Sequence, residues 1–165
     1  MGTCGMRVGQ GYDIHRLVEG LPMVIGGVTV EHHQGLLGHS NGDVLLHAIT
    51  DALLGAAGLG DIGQHYPDTD DDLAGIDSMV ILQQIVRKVT GAGWSIVNVD
   101  CTVVAQAPKL GPYREAMQTE VARGCGIEPA QVNVKMKTNE GLDAVGRTVA
   151  ISSQAVVLLE ACRVA

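Results

Sequence analysis

The sequence predicts an α/β protein of the α+β type, a single-domain sandwich with helices on one face of a mixed or mostly antiparallel β-sheet. Three observations predict it. Apolar residues at three- and four-residue spacing alternate along the chain with short β-branched runs, so helices and strands intermix throughout. The 165 residues suit one compact core that needs no covalent staple. No internal repeat or linker interrupts them, so residues 1–165 are expected to form one domain, with 1–6 as a flexible N-terminal extension.

Residues 7–12 are expected as a first strand, and 22–30, PMVIGGVTV, as strand broken by Gly26-Gly27. Residues 43–57 predict the first helix, because Val44, Leu45, Ala48, Ile49, Ala52, Leu53 and Ala56 recur at helical spacing; Asn41 or Gly42 would start it and Gly58 stop it. The stretch 60–78 is rich in turn formers and acids and is expected as a long loop. Ser78 would cap a second helix running to 92, with Asp77 adding charge at its start. A long strand follows over 94–105, then a turn, a third helix over 113–123 ended by Gly124 and Gly126, and strands over 131–137 and 151–159.

A net charge of -7 without a Lys/Arg cluster excludes a general nucleic-acid binder, which needs a basic stripe against phosphates. No run of about eighteen apolar residues and no basic-then-apolar leader is visible, so neither membrane nor secretion is expected and the cytoplasm is the default. Cys4, Cys101, Cys125 and Cys162 lack paired spacing and are expected as free thiols.

Asp13 and His15 alternate on an extended segment, so both can face one ion, and His47 on the first helix can complete a triad. One carboxylate and two imidazoles with a vacant fourth position is the inventory of a catalytic zinc. Asp43, His47 and Asp51 fall at i, i+4 and i+8, which predicts a polar stripe and makes a flanking acid the partner for the second ring nitrogen of His47. His39, Ser40 and the helix start behind them carry donors suited to phosphate. His32 and His33 have no matching partner and are expected at the surface. Asp61, Gly63 and the run from Tyr66 to Asp70 suit sugar or diol hydroxyls, and an acidic solvated loop would look the same. Lys109 and the segment Lys135 to Gly141 leave strand ends where Lys can meet phosphate and Glu140 can hold a magnesium ion.

In order along the chain stand G-x-D-x-H, G-H-S-x-G-D, L-H-A-x-x-D-A-L-L-G-A, G-D-I-G, P-D-T-D, A-Q-A-P-K and K-T-x-E-G-L. From residue 7 to about 159 the chain thereby resembles the 2-C-methyl-D-erythritol 2,4-cyclodiphosphate synthase family of the non-mevalonate isoprenoid pathway. The resemblance implies a homotrimer with active sites at subunit interfaces, acting on a small cytidyl substrate, with one Zn2+ per subunit and Mg2+ or Mn2+. It implies zinc on Asp13, His15 and His47, and magnesium on Glu140. His39, Asp61, Lys109, Thr138 and Glu140 would be catalytic; Asp13, His15, Ser40, Gly63, Asp68 and Asp70 would meet the phosphate and erythritol half. Ala105, Pro108, Lys109, Leu110, Met136 and Thr138 match the cytidine-diphosphate pocket, given by the neighbouring subunit. Where relatives commonly write L-G-F-x-G-R-x-E-G, this chain has Ala144 and Val149 around a retained Gly146-Arg147, so an axial cavity near Arg147 is expected to hold an anion with little specificity for a prenyl tail. A zinc-dependent phosphohydrolase and a non-catalytic metal-dependent ligand-binding trimer are the alternatives; the hydrolase would release two ring-opened products.

Overall fold

The computed structural model describes residues 5–67 and 75–162. In chain order these form β1 (Met6–Glu19), β2 (Met23–Ile25), β3 (Val28–Val30), β4 (Gln34–Leu37), α1 (Val44–Ala57), α2 (Ile62–His65), α3 (Ser78–Gly91), β5 (Trp94–Val104), α4 (Arg114–Cys125), β6 (Val132–Lys137), α5 (Asp143–Gly146) and β7 (Ala150–Ala161). Five strands make one sheet in the order β4-β1-β7-β5-β6, while β2 and β3 pair as a separate hairpin. All neighbours in the large sheet are antiparallel except β5 and β6, which run parallel. The sheet is thus mixed, as the intermixed strand and helix patterns predict.

Helix α1 is the middle of the sandwich. Eleven of its fourteen residues are buried, since it lies on β1 and β7 and is covered in turn by α3. A helix enclosed on two sides must be apolar nearly all round, which explains a pattern broader than one stripe. Its start is fixed by Asp43, whose Oδ1 accepts the N–H groups of Leu45 and Leu46 at 3.1 Å each. The same carboxylate accepts from Gly26 N at 2.8 Å and Gly27 N at 2.7 Å, so one side chain caps α1 and ties down the β2–β3 turn. Both turn glycines have positive φ, 61° and 75°. Asp43 is therefore the cap, in place of Asn41 or Gly42, and it is buried rather than part of a solvated stripe with Asp51.

Other boundaries shift for physical reasons. Strand β1 continues seven residues past the expected end at 12, because β7 pairs with it as far as Arg16↔Ala150 and β4 takes over from Arg16↔Leu37 to Glu19↔Gln34. Asp13 and His15 consequently sit within a strand, not at its end. The short β4 was not expected; its four residues, QGLL, do not alternate. Asp77, not Ser78, caps α3, its Oδ1 accepting from Met79 N at 2.9 Å. Gly124 lies inside α4, where a Cβ would come within 2.6 Å of Met79 Sδ, and Gly126 supplies the left-handed cap. The expected loop over 60–78 includes α2; Asp68 and Asp70 lie outside the described residues, as does Cys4.

Among the described residues, the long helices α1, α3 and α4 leave the other face of the sheet uncovered. Met6, Val8, Tyr12 and Ile14 of β1 and Val156 of β7 are 69, 68, 50, 43 and 42% exposed there. These apolar side chains, interrupted by exposed Gln10 and Gln154, make a surface more apolar than a free sheet face usually presents. Among the described residues no helix is long and apolar enough to cross a membrane. Cys101, Cys125 and Cys162 are free, and burial pushes the first two thiols up to about 12, which keeps them protonated and inert.

Candidate metal centre and nucleotide cavity

Three ligand atoms meet between β1 and α1. Asp13 Oδ2 lies 2.9 Å from His15 Nε2 and 2.9 Å from His47 Nδ1, and the two nitrogens are 3.1 Å apart. Asp13 and His15 share a face of β1 because they are two residues apart, and that face looks onto α1, where His47 stands one turn from the N-terminus. Among the described residues, this is the one group of three or more His, Cys, Asp or Glu residues close enough to share an ion.

The donor set fits a metal. His15 Nδ1 is 2.9 Å from the carbonyl oxygen of Leu37, which can only accept, so Nδ1 carries a proton and Nε2 is the nitrogen that faces Asp13 and His47. A carboxylate oxygen and an imidazole lone pair this close repel unless a cation or a proton stands between them. Four-coordinate zinc with bonds of about 2.0 Å sets ligand atoms about 3.3 Å apart, so the triad needs to open only by tenths of an ångström. Burial alone would raise Asp13, yet hydrogen bonds from His15 and His47 hold it far below the usual carboxylate range. Burial alone would lower His15, yet Asp13 holds it above the ordinary imidazole value. A site that retains a proton this way is one from which a divalent cation displaces it.

The triad opens on a cavity of about 210 Å³, also lined by His39, Ser40, Asp51 and Tyr66. His39 and Ser40 thus stand beside the triad. Asp51, one of the two acids expected beside His47, does not reach its ring; it accepts Ile62 N–H at 2.7 Å and so moors α2 beside the cavity. Burial, with Asp61 and Asp13 nearby, pushes its carboxyl above the ordinary value. Asp61 caps α2 and accepts from both Gln64 N and Gln64 Nε2; Gly63 follows within that helix. The second ring nitrogen of His47 does not meet a flanking acid. Its Nε2 lies 2.9 Å from the hydroxyls of Ser40 and Ser78, and Asp43 is occupied by four backbone amides.

A second cavity of about 370 Å³ opens where β5 and β6 end, and Ala105, Pro108, Lys109, Leu110, Met136 and Thr138 all line it. Ala105 N donates to Lys137 O at 2.9 Å, which joins the two strand ends into one rim. Beyond Thr138 the chain turns through Glu140 at φ 50° and Gly141 at φ 76°, and Thr138 Oγ1 donates to Glu140 Oε1 at 2.7 Å. Gln106, Gly111, Pro112, Arg114 and Lys137 complete the lining; Gln106 and Lys137 stand inside A-Q-A-P-K and K-T-x-E-G-L, whereas Arg114 had no motif to mark it. The two cavities share no residue. Strands β1 and β5 run in the same direction with β7 between them, so the cavities lie toward one end of the sheet with triad and rim roughly 10 to 14 Å apart by strand spacing. Arg147 lines neither; it follows α5 and is exposed, as are Leu142 and Val149 at 69 and 46%.

Known proteins match this chain over nearly its whole length. The model of the YgbB family matches residues 6–160. The 2-C-methyl-D-erythritol 2,4-cyclodiphosphate synthase of Bordetella petrii is 60% identical over 93% of this chain and 94% of that protein. That of Laribacter hongkongensis is 57% identical over 94% and 96%. Among solved structures, the bifunctional IspDF of Campylobacter jejuni superposes with a TM-score of 0.93 at 40% identity, over 96% of this chain and 43% of that longer one. IspF of Plasmodium falciparum in complex with CDP gives a TM-score of 0.84 at 33% identity over 98% and 100%. The chain belongs to the YgbB family, that of the 2-C-methyl-D-erythritol 2,4-cyclodiphosphate synthases.

Proposed function

We infer that this chain converts 4-diphosphocytidyl-2-C-methyl-D-erythritol 2-phosphate to the 2,4-cyclodiphosphate and CMP. An oxygen of the 2-phosphate forms a bond to the β-phosphorus as the bond from that phosphorus to the CMP oxygen breaks. The observation that carries this reading is the convergence of Asp13 Oδ2, His15 Nε2 and His47 Nδ1 in a chain 60% identical to a synthase. Zinc, one per subunit, would be held by those atoms, and Mg2+ or Mn2+ by Glu140; when bound, such cations neutralise the phosphate charge that in-line displacement concentrates.

The chain's own groups hold the reactants. His39 and Ser40 are assigned to the 2-phosphate, and Asp61 and Gly63 to the erythritol hydroxyls, with Asp68 and Asp70 assigned from sequence alone. Lys109 and Thr138, on the rim with Ala105, Pro108, Leu110 and Met136, are assigned to the cytidine diphosphate. Holding phosphate and diphosphate in register removes most of the orientational entropy of ring closure. Two cavities with complementary equipment and no shared lining are economical if each completes the site of a neighbouring copy. The exposed apolar residues from Met6 to Val156, which further copies would cover, support the same homotrimer, placed in the cytoplasm without a membrane or nucleic-acid partner. Arg147 is assigned an anion near the trimer axis, where Ala144 and Val149 offer neither ring nor charge.

Incubating protein, substrate and divalent metal tests the function: CMP with a phosphorus spectrum of a cyclic diphosphate is expected, and ring-opened products would favour a phosphohydrolase. Glu140→Gln separates the two cations. A neutral amide is a poor ligand for a hard ion, so the zinc content should stay while the magnesium concentration for half-maximal rate rises roughly tenfold, a loss of about 1.4 kcal/mol in binding. An unchanged magnesium dependence would show that Glu140 does no more than accept the Thr138 hydroxyl.

A further inference from the structure

The chain carries 18 acidic residues against 11 lysines and arginines, yet the cavity at the ends of β5 and β6 inverts that balance. Lys109, Arg114 and Lys137 line it, and among the described residues no Asp or Glu does. The metal cavity, in contrast, is lined by Asp13 and Asp51. Charges of one sign around a concave wall focus their field, so three cations at one opening draw anions more strongly than the same three dispersed over a surface.

These cations are also unspent. Elsewhere exposed bases find carboxylates, as Arg123 does with Glu120 and Lys135 with Asp100. Among the described residues, none of Lys109, Arg114 and Lys137 forms an ion pair. Lys109 and Lys137 belong to motifs already read as meeting the nucleotide; Arg114 does not. Its place follows from the turn before it. Leu110 and Met117 are buried on either side, and Tyr113 N donates to Leu110 O at 2.9 Å, so residue 114 is carried on a fixed element at the cavity mouth. Arg114 also lines the adjoining groove with Gln118 and Glu115, the second of which reaches the groove but not the cavity. The guanidinium thus stands where the cavity meets open surface, and it is exposed.

We propose that Arg114 is an electrostatic capture residue: from the mouth of the cavity its charge draws the polyanionic cytidyl nucleotide inward without a fixed contact. The proposal rests on the reading of this cavity as the nucleotide site. An exposed guanidinium keeps its water, so it acts at a distance and not as one half of a desolvated pair. A charge at the mouth of a cavity of about 370 Å³ lies within about 10 Å of whatever fills it. At that distance in water, a unit charge alters the affinity of a ligand bearing about three negative charges roughly three- to fivefold at low salt. The effect fades once the screening length falls to a few ångströms.

Titration calorimetry with CDP reads the effect without turnover. At about 20 mM salt, Arg114→Gln should weaken CDP roughly three- to fivefold, Arg114→Glu by about the square of that factor, and Arg114→Lys by less than about twofold, because charge alone counts. Near about 0.5 M salt all four proteins should bind alike to within about twofold. In the assay, KM should follow the same order while kcat and zinc content stay at the wild-type value. A loss of packing would neither grow on charge reversal nor vanish in salt. Equal affinity of wild type and Arg114→Glu at low salt would overturn the proposal, as would a loss in Arg114→Gln that lysine does not restore and salt does not erase. A wild type that binds no CDP at either salt would overturn the nucleotide reading itself, and the proposal with it.

Discussion

His47→Ala is expected to lose turnover by on the order of 10³-fold or more while the protein remains folded. The imidazole supplies one of three converging ligand atoms, and Asp13 and His15 alone are two residues of one strand with no third side to close the site. A bound cation at a phosphoryl group supplies several kcal/mol of charge stabilisation, and about 4 kcal/mol corresponds to that factor in rate. Stability should move far less. The ring stands at the mouth of a cavity, its side chain 12% exposed, so its removal leaves no closed void in the core. The measurements are zinc content, CMP release and the circular dichroism spectrum. Turnover within tenfold of wild type in a protein verified to hold no metal would sink the assignment.

The candidate triad was legible because its chemistry is local. An Asp and a His two residues apart share a strand face whatever surrounds them, and a His among apolar neighbours on a helix needs a reason to be there. The lining of the second cavity was legible for another reason: Ala105 to Leu110 and Met136 to Thr138 matched ordered motifs, and six of six positions line it. What stayed hidden was pairing at a distance. Asp43 reads as one acid of a polar stripe, and only the approach of the β2–β3 turn, whose amides it accepts, buries it. Ser78 reads as a cap, and only the meeting of α3 with the loop at Asn41 turns its hydroxyl toward His47. Strand β4 had no periodicity to announce it because its pairing with the far end of β1 is what makes it a strand. Hydrogen-bond polarity, like register, belongs to the folded arrangement and not to any window of sequence.

The distance between β1 and α1 is set by two glycines, and the second large effect is expected there. A Cβ built on Gly11 would stand 1.9 Å from Ala48 O, and one on Gly9 would stand 1.9 Å from Ala52 O. Both targets are backbone carbonyls of a helix enclosed between the sheet and α3, so no side chain can swing aside. Gly11→Ala therefore forces α1 to withdraw by about 1 Å or more, at a cost of about 3 kcal/mol or above for an overpacked core. For a chain of this size that is a fall of roughly 10 °C in Tm. Ala48 adjoins His47, and Gly11 precedes Asp13 by two residues, so the same displacement pulls His47 Nδ1 away from its 2.9 Å approach to Asp13 Oδ2. Gly9→Ala meets the helix one turn further along and serves as the control. Both variants should lose comparable stability, but Gly11→Ala alone should also lose about tenfold or more in zinc affinity, since ligand sites tolerate misplacement of only about 0.5 Å. Equal zinc affinity in the two variants would mean that the triad is positioned from the loops above it and not by the close contact of strand and helix.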